Sequence, residues 1–177
     1  MRRMFVSMVV LVGTLLCSGN SAWAQEPVSP GKEHAELKKM EGVWDAVVRT
    51  PDGSESKGVS EYKMKCGDLW LVSSFEGNIG GQKFSGQGFD GYDPEKKHYT
   101  SVWVDSMSAT PLMLTGTKDA TGKILTMTGE GPGPDGPMKY KMVTTTESAD
   151  KHTFQMFLAM PQGETEMMTI AYTRRKK

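Results

Sequence analysis

Few of the residues that could act in catalysis or bind a metal or a cofactor stand at the spacings that such sites require. The stretch Gly86–Gly91 matches G-x-G-x-x-G, the spacing of a dinucleotide-binding turn. Such a turn needs a following helix whose N-terminus holds the pyrophosphate, and Tyr92–Pro94 begin no helical periodicity. We therefore interpret Gly86 and Gly88 as alternating residues of a strand, where they allow a bend or the close approach of another side chain.

The three histidines of the chain, His34, His98 and His152, are far apart in the sequence. They form no H-x-H or H-x-x-x-H pair, so the sequence predicts no metal site. It predicts no cofactor either, and we expect these histidines at the protein surface.

A hydrolase is also poorly supported. Ser106 follows Asp105 but lacks the G-x-S-x-G turn that exposes a nucleophilic serine. Asp105 is better interpreted as a turn residue, since Asp side chains accept hydrogen bonds from the backbone two residues on. An enzyme that uses a few acidic and phenolic side chains as acid or base stays open as an alternative. Its candidate residues are Asp105, Glu130, Tyr92 and Tyr172.

The elements that would position these residues are mostly strands. From Val43 onward apolar residues recur at every second position, and turn signals such as Pro51–Gly53 and Ala120–Gly122 recur every eight to twelve residues or so. Nine such signals predict ten strands. Sequential hairpins predict an all-β, up-and-down antiparallel meander, and ten strands with one apolar face close most simply into a barrel.

The N-terminal region has a different organisation. Arg2 and Arg3, the apolar run Phe5–Leu16 and the small residues around Trp23 predict a signal peptide over residues 1–24 and export to a periplasm or beyond. Residues 25–30 are then a linker and residues 31–177 a single domain.

A short helix should follow the linker. We expect Ser29 as its N-cap, Pro30 in its first turn and Gly42 as its C-terminal residue. Leu37 and Met40 would then rest on the larger β-structure.

Composition limits the possible partners. The 177 residues carry 21 Lys and Arg against 21 Asp and Glu, so no positive field attracts nucleic acid. The polar alternates of the strands argue against a barrel inserted in a membrane, whose outer face must be apolar. Cys66 would be the one cysteine left after cleavage, and we expect a small buried side chain there. The sequence predicts no oligomeric state.

The alternation also predicts which side chains face the barrel interior, because a step of one residue moves a side chain to the other face. Six of these positions are methionines or phenylalanine, which suit an apolar lining, and three are tyrosines, whose buried hydroxyls need partners. The predicted lining is Tyr62, Met64, Met127, Tyr140, Met142, Phe154, Met156, Met168, Ile170 and Tyr172.

The first and last strands should close the barrel. Trp44 opens the first strand and Arg174 ends the last, and these strands are neighbours in a closed meander. We expect the guanidinium of Arg174 to lie across the indole of Trp44 and to seal one end.

Several segments together resemble the DUF1579 family of uncharacterised exported bacterial proteins. The resemblance covers nearly all of Leu37 to Arg174. The segments that carry it are Met40–Trp44, Gly91–Asp93, Trp103–Met107, Leu125–Glu130 and Ala171–Arg174. That family is similar to the calycins, the lipocalin and fatty-acid-binding-protein group of barrels, in the Gly-x-Trp of its first strand and the basic residue of its last. The resemblance implies a calycin-like barrel but no established activity.

Two classes of function, besides the enzyme, fit these patterns. A barrel of this strand count can enclose a cavity, so the interior could bind a small apolar or amphipathic molecule. Methionine also fills gaps in ordinary cores, so a solid barrel with a structural or interaction role fits as well. If the barrel is hollow, we expect its opening near the two longest breaks, Ser106–Thr110 and Gly131–Pro137.

Overall fold

A computed structural model describes residues 28–133 and 136–176 of the chain. The predicted signal peptide and residues 25–27 of the predicted linker lie outside the described residues. No helix within those ranges is long and apolar enough to cross a membrane.

One short helix precedes ten antiparallel strands that form a closed barrel in which each strand pairs with its neighbours along the chain and β1 pairs with β10. The all-β, ten-stranded meander predicted from the turn signals is confirmed. The elements are α1 (Lys32–Lys38), β1 (Gly42–Arg49), β2 (Glu55–Lys65), β3 (Trp70–Ile79), β4 (Gln82–Asp93), β5 (His98–Asp105), β6 (Ser108–Lys118), β7 (Ile124–Gly131), β8 (Met138–Ser148), β9 (Lys151–Met160) and β10 (Gly163–Arg174).

The pairing register fixes which side chains share the interior. Trp44 is paired with Ser60 on one side and Arg174 on the other, and Ala46 is paired with Tyr172. Directly paired residues point to the same face of a sheet, and the buried residues of β1 are these alternate positions. The even-numbered residues of β1 therefore face the interior.

The barrel has two ends, which its connections define. Helix α1 leads into the start of β1, so it lies at the end where β2–β3, β4–β5, β6–β7 and β8–β9 turn; we call this the helix end. The opposite end, the far end, carries the hairpins β1–β2, β3–β4, β5–β6, β7–β8 and β9–β10. The breaks at Ser106–Thr110 and Gly131–Pro137 therefore share the far end.

Helix α1 closes the helix end but begins and ends at other residues than expected. Its N-cap is Gly31 rather than Ser29, and the Gly31 N–H donates to Nδ1 of His34, 3.0 Å away. The helix ends at Lys38, and Gly42 is instead the first residue of β1. Leu37 is buried in the core, as expected of a helix that covers the barrel.

Glycine is needed at position 42 for two reasons. Its φ of 127° lies in the region that side chains rarely adopt, and a Cβ there would come within 2.9 Å of Nη1 of Arg174. The residue that was expected to end the helix thus leaves space for the arginine that closes the barrel.

The expectation that Cys66 is buried was wrong. Cys66 is exposed in the turn between β2 and β3 with a φ of 53°. The alternation of β2 ends before this turn, so it does not determine where the side chain points.

Candidate functional site

The predicted lining forms rows across the inside of the barrel. Met127 is paired with Met142, Met142 with Met156, and Met156 with Met168, so four methionines on four neighbouring strands make one continuous row. Phe154 pairs with Ile170 beside this row, and Tyr172 pairs with Ala46. All ten predicted lining positions fall on the inward register of their strands.

The interior is not uniformly filled. The buried apolar residues form two separate clusters, one under α1 around Leu71 and Leu114 and the other around Trp44 and Phe75. Three side chains that are themselves partly buried pack against both clusters, namely Met40, Tyr62 and Trp103. Several other inward-facing side chains also keep accessible surface, although a closely packed core would bury them. They include Tyr140, Met142, Phe154, Met156 and Met168.

Trp44 and Arg174 seal the helix end. The guanidinium carbon of Arg174 lies 4.1 Å from the centroid of the Trp44 ring, which confirms the contact predicted from the sequence. Arg174 also donates hydrogen bonds to the carbonyls of Lys39, at 2.7 Å, of Glu41, and of Ala149, at 3.1 Å. The Trp44 indole donates to the Met40 carbonyl at 2.9 Å. One arginine thus joins the end of α1 to the β8–β9 turn across the buried indole.

A polar cluster lies beside this seal. The hydroxyls of Tyr62, Tyr172 and Ser60 lie close enough together to influence the pKa values of the two tyrosines. Burial raises the pKa of Tyr172 to about 12 and, together with the neighbouring Tyr172 and Asp90, raises the pKa of Tyr62 well above its usual value. Both phenols are therefore neutral donors over the physiological range.

Tyr140 does not join this cluster. Its hydroxyl donates to the carbonyl of Pro132 at the far end of the barrel. The three predicted tyrosines therefore serve two different regions of the interior.

His152 is part of the barrel interior, which contradicts the expectation that the histidines lie at the surface. Its ring is stacked on Tyr172, with centroids 4.4 Å apart, and meets the edge of Trp44 at 4.5 Å. Burial, and then the charge of Arg174, lower its pKa to about 4, so it is neutral. Its Nδ1 is buried without a hydrogen-bond partner. His34 is buried as well, beneath the N-terminus of α1.

Asp90 is the interior residue that sequence reasoning missed as a site residue. It pairs with Leu71 and Ser101, which puts its carboxylate on the inward face of β4, and it keeps some accessible surface there. Burial raises its pKa to about 6, and a hydrogen bond with Ser101 opposes this change. The sequence contains a signal for this inward position, because Asp90 alternates with Gly86 and Gly88 on one face of β4.

The glycines of β4 make room for Trp103. A Cβ on Gly86 would collide with the Trp103 ring, and one on Gly88 would come within 3.3 Å of it. The Trp103 indole donates to Asp105 at 2.9 Å, and the other Asp105 oxygen accepts the Met107 N–H at 2.8 Å. The close approach expected at these glycines is present, and Asp105 organises its turn.

The acid and base candidates of the enzyme alternative do not converge. Asp105 lies at the far end of β5, whereas Tyr92 and Tyr172 lie toward the helix end. Glu130 is exposed on the outer face, paired with Met113. Residues 28–133 and 136–176 contain no group of three His, Cys, Asp or Glu side chains placed to hold a metal ion.

A groove of about 620 Å³ lies outside the barrel, between α1 and the β4–β5 and β6–β7 hairpins. Its charged lining is of both signs and includes Lys32, Glu33, Glu36 and Lys118. Because these charges can compensate one another, the groove offers no unbalanced charge to a ligand.

The family model described as "Protein of unknown function (DUF1579)" matches residues 29–174, which is nearly the whole described chain. The chain belongs to the DUF1579 family. No curated protein matches its sequence.

Solved structures similar to this DUF1579 chain are β-barrels. The S-type phycobiliprotein lyase CPES from Guillardia theta aligns with a TM-score of 0.56 and 10% identity over 82% of this chain and 93% of that chain. The redesigned barrel mFAP0, bound to DFHBI, aligns with a TM-score of 0.44 and 14% identity over 77% of this chain and 99% of that one. At 10% identity, the similarity to the lyase supports a shared fold and nothing more.

Proposed function

We propose that the protein binds a small apolar or amphipathic molecule inside the barrel. The observation that carries the proposal is the row Met127, Met142, Met156 and Met168, which faces the interior while three of its four side chains keep accessible surface. Exposed thioether side chains inside a barrel cost free energy unless a ligand covers them.

Methionine suits this role physically. Its unbranched, polarizable side chain changes shape with little strain, and promiscuous binding surfaces use this property. The division of the core into two clusters supports the same interpretation, since the side chains that pack against both clusters are only partly buried. A solid barrel would instead bury this row completely.

The far end is the proposed entrance. Trp44, Arg174 and α1 cover the helix end, whereas the far end consists of hairpin connections in the part of the chain that the structure describes. Binding residues are commonly found on loops that a rigid scaffold positions.

A few polar groups would orient the ligand. The Tyr62 and Tyr172 hydroxyls and the unpartnered Nδ1 of His152 lie toward the helix end of the interior. Binding sites of this kind use mostly apolar surface and a small number of placed polar groups. The shared fold with the phycobiliprotein lyase is compatible with this proposal, which rests on the lining of this chain.

We also propose that the protein acts outside the cytoplasm. The basic start, apolar run and small residues of residues 1–24 support cleavage between Ala24 and Gln25. N-terminal sequencing of the secreted protein should begin at Gln25, and a mature protein that begins at Met1 would contradict the proposal.

A neutral apolar fluorophore, N-phenyl-1-naphthylamine, tests the binding site. The wild-type protein should bind it, and Met156→Trp should weaken binding because a larger apolar side chain occupies the interior without making it polar. Met113→Trp is the matched control, since Met113 is 58% exposed on the outer face, and it should leave binding unchanged. Equal binding by a folded Met156→Trp protein would place the ligand elsewhere, and no binding of apolar probes to the wild type would favour a solid core.

A further inference from the structure

We propose that the barrel interior selects ligands with a cationic nitrogen, such as a protonated alkylamine, and that Asp90 is the group that recognises it. This inference rests on the proposed binding function and names the ligand class. Its basis is a carboxylate that faces the accessible interior from the middle of the β4 wall, between Leu71 and Ser101.

Asp90 has no counter-ion of its own. The eight ion pairs found among residues 28–133 and 136–176 leave it out. The Ser101 hydroxyl is a neutral donor that satisfies only part of a carboxylate, which has two acceptor oxygens. An ionised carboxylate inside a protein is costly unless it is paired, so a cation brought by the ligand would remove this cost.

The cations that point into the barrel are committed elsewhere. The Arg174 guanidinium lies over Trp44 and donates to the carbonyls of Lys39 and Glu41. The Lys118 ammonium lies 5.6 Å from the ring centroid of Tyr99, under α1. Neither forms an ion pair with Asp90.

The surroundings of Asp90 suit a cation better than an anion. The Tyr62 phenol lies close enough for the Asp90 charge to raise its pKa, and Trp103 covers Gly88, two residues before Asp90 on the same face. The faces of aromatic rings attract cations through their quadrupole. The methionine row beyond them would take the apolar part of the same molecule.

The carboxylate also persists at neutral pH. Its pKa of about 6 leaves it mostly ionised at pH 7.5, and a bound cation would lower that pKa further. An anionic ligand such as a fatty acid would instead bring a second negative charge into the same interior.

The test is competition against a neutral apolar fluorophore, N-phenyl-1-naphthylamine, at pH 7.5. Decylamine, 1-decanol and decanoic acid have equal chain lengths and differ in the charge of the head group. For the wild type we expect decylamine to displace the fluorophore at a concentration at least about tenfold lower than 1-decanol, as a charge-assisted hydrogen bond provides. Decanoic acid should be the weakest competitor.

Asp90→Asn should remove the preference for decylamine and leave the affinity for 1-decanol and for the fluorophore within about twofold, since the apolar contacts remain. Glu130→Gln is the matched control, because it removes a carboxylate from the exposed outer face, and it should keep the wild-type order.

Equal displacement of the fluorophore by decylamine and 1-decanol in the wild-type protein would overturn this inference alone. This comparison needs no variant, so it holds even if Asp90→Asn folds poorly. A preference for decylamine that survives in a folded Asp90→Asn protein would also overturn it. Failure of the fluorophore and all three competitors to bind would overturn the proposed function together with this inference.

Discussion

Replacing Asp90 with Asn should expose a pH dependence of stability that two buried groups cancel in the wild-type protein. Burial raises the pKa of Asp90 from 3.8 to about 6, and burial together with Arg174 lowers the pKa of His152 from 6.5 to about 4. Each shift is about two pKa units, and at 1.36 kcal/mol per unit each is worth about 3 kcal/mol.

The two contributions have opposite signs. The pKa of Asp90 is higher in the folded state, so its stabilisation is present below pH 3.8 and is lost as the pH rises through 6. The pKa of His152 is lower in the folded state, so its stabilisation is present above pH 6.5 and is lost as the pH falls through 4. As the pH falls through this range, the stabilisation lost from His152 is therefore largely replaced by the stabilisation gained from Asp90.

Single variants should separate the contributions of Asp90 and His152 to the pH dependence of stability. In Asp90→Asn the free energy of unfolding, compared with that of the wild type at the same pH, should fall by about 3 kcal/mol as the pH is lowered from 7 to 4, because Asp90 no longer offsets the contribution of His152. In His152→Phe, which keeps a ring between Trp44 and Tyr172, it should rise by about the same amount. The double variant should show the weak dependence of the wild type.

Urea unfolding followed by tryptophan fluorescence, at several pH values between 4 and 7, measures these free energies. Comparing each variant with the wild type at the same pH cancels the exposed carboxylates whose pKa values are lowered, such as Asp45 and Asp119. If the difference between the wild type and Asp90→Asn stays constant over this range, Asp90 does not titrate inside the barrel and the reasoning is refuted.

Three further substitutions test the packing by urea unfolding. Trp44→Ala should cost about 3 to 5 kcal/mol, the range for a large buried aromatic, and a near-neutral result would show that Trp44 does not seal the core. Leu37→Ala should cost about 2 to 5 kcal/mol if α1 closes the barrel, whereas Val28→Ala, at a 58% exposed position, should stay within about 0.5 kcal/mol. Gly86→Ala should cost about 1 to 3 kcal/mol because its methyl group meets the Trp103 ring, and unchanged stability would contradict that contact.

The sequence predicts the barrel well because its information is local. Each hairpin is specified by a short turn signal, and the alternation within each strand specifies the inward face, so Met127 and Met142 could be placed on the lining without knowing that they are paired. The closure of β1 on β10 follows from the meander once the strands are counted.

The polar residues of the interior could not be predicted in the same way. Asp90 and His152 occupy inward alternation positions, yet a charged or polar side chain is usually placed on the solvent face. The predicted start of α1 was wrong because a buried polar side chain was again not anticipated. His34 is buried and accepts the Gly31 N–H, so the burial of this side chain and its local hydrogen bond favour Gly31 as the cap in place of Ser29.

Native mass spectrometry of the protein purified from the cells that make it tests most directly whether the interior binds a small molecule. The account predicts a second species, heavier by the mass of one small organic molecule, that disappears on denaturation and is reduced in Met156→Trp. A wild-type protein without this species, which also takes up none of a series of apolar and amine compounds added in excess, would contradict the account.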